Sequence, residues 1–223
     1  MHLQAEKLDN FVLEVYNGTI KWLLGYTRQK GKRVMGNNLN FTNEMKEMMK
    51  EWKGKLLKGY IENSDDGYFS IARLLIEDRL FDLDNEYVLY DYPDNDRVEL
   101  TCFACVEVEK KKALQTHIVG GKCKENIVGE NIVNVYIIKD VEKGKLFDSG
   151  IPYELEFDTA LIIQTENGYY AFWRDVMFYT IEAARFGDME AVLKAVKSVE
   201  QIQKEAQEEN PYVVTVERRI VKL

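Results

Sequence analysis

Apolar positions recur along this chain with two periods, and the period changes near residue 85. Residues 1–82 read as mostly helical. Within 5–28, Leu8, Phe11, Val12, Val15, Trp22, Leu23 and Tyr26 fall on one face at helical spacing. A hairpin is the alternative for that stretch, with 11–16 and 19–24 flanking Asn17 and Gly18, a pair suited to a two-residue turn. The helix is preferred because a strand would place Glu14 on the same face as Val12 and Tyr16. Residues 28–40 are polar and glycine-bearing and read as a loop. Thr42 fits an N-cap, and Met45, Met48, Met49, Trp52, Leu56 and Tyr60 then recur as one amphipathic helix. Residues 63–67 break it, and Tyr68, Ile71, Ala72, Leu75, Ile76 and Leu80 predict a further helix.

From 85 to 174 the pattern is that of strands. Residues 86–92 and 97–109 flank a short polar connection, and Val98, Leu100, Cys102, Ala104, Val106 and Val108 alternate along the second. Residues 131–139 are apolar on both faces, as a central strand would be. Residues 153–165 alternate and turn at Asn167 and Gly168 into 169–173. A helical pair is predicted over 175–209. Its first member carries Val176, Phe178, Tyr179, Ile181 and Ala183, and its second, from Asp188, carries Met189, Val192, Leu193, Val196, Val199 and Ile202. Pro211 ends it, and the β-branched residues of 211–222 predict a strand returning to the sheet. The expected fold is α+β, a mainly antiparallel sheet with N-terminal helices and a C-terminal helical pair packed on it, in a single domain over 1–223.

With 223 residues, 46% of them hydrophobic and 12% aromatic, the chain can bury a sizeable core. It holds no run of about 18 apolar residues of the kind that spans a bilayer. The first ten residues mix acids and amides where a secretory signal would need a basic start and an apolar run. Three cysteines make no disulfide framework. The expected location is the cytoplasm. The net charge of −8 is unevenly spread: residues 63–109 hold three Lys and Arg against 13 Asp and Glu, and residues 151–210 hold five against 12. Such a field steers partner choice and disfavours nucleic acid as the main partner.

The closest approach to a metal motif is Cys102, Cys105, His117 and Cys123, spaced C-x2-C-x11-H-x5-C, which supplies ligand types that zinc prefers. Phe103 and Ala104 stand where a zinc knuckle needs a tight turn, and three-residue spacing on a strand sends two thiols to opposite faces. Buried free thiols are therefore expected, with no metal and no cofactor. Pro93-Asp94, followed by Glu109, Lys110 and Lys111, resembles the core of the PD-(D/E)xK metal-dependent nucleases over fewer than twenty residues. That resemblance implies that the acids hold a divalent cation and the lysine assists an attacking water. The parallel crossover helices of that family are not predicted here. Neither G-x-G-x-x-G nor G-x-x-x-x-G-K-[ST] occurs. His2 and His117 are the only histidines, which leaves a nucleophile little choice of base. In Asp82-x-Asp84-x-Glu86, Tyr87 occupies the place where a calcium loop needs glycine. Trp22 and Tyr26 among Lys21, Arg28, Lys30, Lys32 and Arg33 could stack on and pair with nucleic acid, a minor alternative in an acidic chain.

The expected function is accordingly a non-enzymatic, protein-binding module that docks a basic partner on Asp91, Asp94 and Asp96. An acidic inhibitor or immunity-type protein is one form of such a module. A divalent-metal nuclease and a zinc-stabilised interaction domain are the alternatives.

Overall fold

The computed structural model describes residues 12–16, 19–23, 39–64, 72–91, 97–108, 122–146, 149–175, 180–209 and 212–223. The chain forms two compact units, residues 1–36 and residues 37–223. In the first, β1 (Val12–Tyr16) and β2 (Thr19–Leu23) pair antiparallel, from Val12 opposite Leu23 to Tyr16 opposite Thr19. This corrects the helix expected over 5–28 in favour of its hairpin alternative. Tyr16 paired with Thr19 leaves two residues for the turn, so the local turn chemistry outweighs an imperfect alternation.

The second unit opens with α1 (Asn43–Lys50). Thr42 caps it, accepting a hydrogen bond from Met45 N at 3.2 Å, and Lys50 closes its last turn. The helix predicted to reach Tyr60 stops here. Gly54, with φ of 81°, turns the chain, and β3 (Leu56–Ser64) follows. The helix predicted from Tyr68 to Leu80 is strand over its described residues, 72–80: β4 (Ala72–Ile76) meets β5 (Arg79–Asp91) through Glu77 and Asp78, with Ile76 opposite Arg79, and 68–71 lie outside the described residues. β6 (Arg97–Val108), β7 (Lys122–Lys145), β8 (Pro152–Thr165) and β9 (Gly168–Asp175) follow the strand expectations, the last three with longer bounds. The β8 to β9 turn falls on Glu166 and Asn167, one residue earlier than the Asn-Gly pair, with Thr165 opposite Gly168.

The C-terminal helical pair needs correcting too. Over 180–186 its first member is β10 (Thr180–Phe186), an antiparallel partner of β9 with Ile181 buried, while Val176, Phe178 and Tyr179 lie outside the described residues. Its second is two short helices, α2 (Met189–Ala195) and α3 (Val199–Glu209), separated where Val196 turns extended. β11 (Val213–Lys222) returns to the sheet beside β7, as expected.

All the strand pairings in this unit are antiparallel, in the order β10-β9-β8-β7-β3-β4-β5-β6, with β11 also on β7. The mainly antiparallel sheet is therefore present, without the helical N-terminal third. The 24-residue β7 is its spine. Residues 122–131 pair with β3, and the later part pairs with β8 and β11. The sheet folds across itself, because one core cluster joins Tyr60 of β3, Leu74 of β4, Phe81 of β5 and Phe103 of β6 to Ile137, Leu161, Phe172 and Ile181 of β7 to β10. Tyr60 meets the Phe172 ring edge-on with centroids 5.3 Å apart. Alternation then sends Ile138, Ala160, Ile162 and Ala171 to the opposite face, where Val192 and Val196 at α2 cover them.

Candidate functional site

β5 and β6 form a long hairpin paired from Leu80 opposite Val108 to Asp91 opposite Arg97. Its root is held by Phe81, Leu83, Phe103 and Cys105, all buried in the main cluster. Asp91 ends β5 eight residues beyond Leu83, roughly 26 Å at the rise of a strand. Asp94 and Asp96 belong to the connection that joins Asp91 to Arg97. They lie outside the described residues, as does the side chain of Asp91. The three acids are thus gathered by topology at the distal end of one strand pair, and β6 terminates the strand order of the sheet.

The other acids of this block stand differently. At the root, Arg73 donates from Nε and Nη2 to Asp82 at 2.5 and 2.8 Å, and Arg79 holds Glu107 with hydrogen bonds of 2.8 and 2.6 Å. The Arg79 hydrogen bond draws the Glu107 carboxyl below its ordinary range. Lys58 reaches Asp78 at 2.9 Å. Three of the 13 acids of 63–109, Asp78, Asp82 and Glu107, are therefore answered locally at the root.

Cys102 and Cys105 are in no disulfide and are buried in different clusters, Cys105 with Phe103 and Leu83, Cys102 with Leu39, Tyr153, Leu155 and Phe157. Burial pushes the Cys105 thiol far up, away from the thiolate a metal would need. His117 lies outside the described residues, as do the side chain of Cys123 and Pro93, Asp94, Glu109 and Lys111 of the nuclease-like pattern. Among the described residues no three His, Cys, Asp or Glu side chains come together as a metal-holding group. No helix among them is long and apolar enough to cross a membrane.

Sequence reasoning missed a cluster of buried charge where β7, β8, β9 and β11 meet the segment before α1. Asp140, fully buried, accepts from Arg218 Nε and Nη2 at 2.7 and 2.8 Å and from Thr159 Oγ1 at 2.6 Å. Lys139 Nζ lies 2.7 Å from Glu156 Oε1, 2.5 Å from Asn40 Oδ1 and 3.4 Å from Asp158 Oδ1. Asp158 Oδ2 accepts from Phe41 N at 2.6 Å, and Leu39 forms a parallel bridge with Phe157. Arg174, also buried, lies over the Phe157 ring at 5.1 Å. Its burial brings the guanidinium down to about 10, and Cys102, Asp158 and Asp140 oppose that fall. Chemically these groups neutralise one another, and their contacts fasten 39–41 to β8 and β11 to β7. The sequence signal was present. Lys139-Asp140 and Asp158-Thr159 interrupt apolar runs at positions that a two-sided buried strand fills with hydrophobic residues.

Burial raises the Asp158 carboxyl above its ordinary 3.8, against the opposing pull of Lys139 and the Phe41 amide. The folded state thus binds this proton more tightly than the unfolded chain, so its carboxyl adds stability as pH falls through the raised value towards 3.8. Asp158→Asn keeps an acceptor for the Phe41 amide and removes that proton uptake. In urea unfolding, wild type is expected to gain stability relative to the variant as pH falls from neutrality towards 3.8. A difference that is flat or shrinks over that range would contradict the assignment.

Comparisons of the chain with protein-family models, with curated proteins and with solved structures returned no match.

Proposed function

We propose that this protein is a binding module that docks a basic protein partner on the distal end of the β5 to β6 hairpin, through Asp91, Asp94 and Asp96. The observation that carries the reading is the register of the hairpin. With Asp91 opposite Arg97, the residues between them form one short connection, and the three acids fall within six positions of chain at its end. The root acids Asp78, Asp82 and Glu107 are answered by Lys58, Arg73 and Arg79, which makes the root a weak source of negative field. Complementary charge of this kind accelerates encounter and selects the sign of the partner. The partner class is a protein with a cationic patch, and an inhibitor that covers such a patch is the form this role takes.

The test compares wild type with the triple variant Asp91→Asn, Asp94→Asn, Asp96→Asn. A partner recovered by wild type is purified, and the association and dissociation rates of the pair are measured by surface plasmon resonance at low and at physiological salt. The association rate is expected to fall by about tenfold or more in the triple variant and to fall with salt in wild type, since rim charges act mainly on association. A partner bound equally well by both chains, or with no salt dependence, would remove this reading.

A further inference from the structure

We draw no further inference here: the strongest candidate, the apolar row that Val108, Leu80, Leu75 and Ile127 form with the groove over Gly59 on the outward face of β6, β5, β4, β3 and β7, is edged by Lys58, Arg73 and Glu125, and nothing in the structure shows what covers it.

Discussion

Asp140→Ala is expected to destabilise the protein by about 3–5 kcal/mol, the magnitude associated with removing one member of a buried ion pair. The carboxylate is fully buried, and the Arg218 side chain that grips it with two hydrogen bonds is only 10% exposed. Alanine would leave that guanidinium without its counter-charge in a site it cannot easily leave, because β11 is zipped to β7 from Val213 to Lys222. Thr159 Oγ1 would lose its acceptor as well. The loss measures the stranding of Arg218 rather than the net worth of the pair, and a second variant shows this. Asp140→Leu combined with Arg218→Met removes both charges, and is expected to recover most of the deficit, to within about 1–2 kcal/mol of wild type. Urea denaturation of the single and double variants closes the cycle. A double variant as unstable as the single one would mean that Asp140 contributes through packing or Thr159 and not through Arg218.

Trp52→Ala is expected to cost about 3–5 kcal/mol, the range for truncating a large buried aromatic side chain. Trp52 follows α1, is fully buried, and packs its ring 4.9 Å from that of Phe81, inside the cluster that joins the two groups of strands. Few other side chains can fill that volume. Its indole Nε1 is buried without a hydrogen-bond partner among the described residues. A buried donor left unsatisfied carries a desolvation penalty of about 1–3 kcal/mol, which the native protein bears. Trp52→Phe sheds that penalty while keeping much of the aromatic volume. Its loss is therefore expected to be about 1 kcal/mol or less, well under the alanine value, by the same urea assay. A phenylalanine variant as damaged as the alanine variant would show that shape at this site outweighs the unanswered donor.

The helix misread over 68–80 has a physical cause. Helical spacing was inferred over 68–80 from Ile71, Ala72, Leu75, Ile76 and Leu80. In the strands β4 and β5, Ala72, Leu74 and Ile76 point inward, while Leu75 and Leu80 belong to the outward apolar row. A strand apolar on both faces loses its period of two, and neighbouring residues from opposite faces then imitate a helix. The outward apolar row is thus the feature that disguised this region. At 180–186 that cause does not operate: Ile181 is buried and Ala183, two positions on, packs against the same cluster from the same face of β10. For 12–23 the turn signal at Asn17 and Gly18 carried the better information, and the alternation around Glu14 was the weaker guide.

Sequence by itself determined the strands whose two faces meet different surroundings, the N-cap at Thr42, the returning C-terminal strand and the gathering of Asp91, Asp94 and Asp96 about one hairpin connection. Each of these depends on residues a few positions apart, which local periodicity and turn chemistry record. Tertiary structure decided which charges are buried and with whom. Asp140 finds Arg218 78 positions away, and the Phe41 amide finds Asp158 117 positions away, only because β7 holds β8 and β11 together. It also decided that one outward face is covered by α2 while the other presents Ile127 beside the space over Gly59. Burial and exposure at such sites are set by which distant strand lies alongside, and a one-dimensional pattern holds no term for that neighbour.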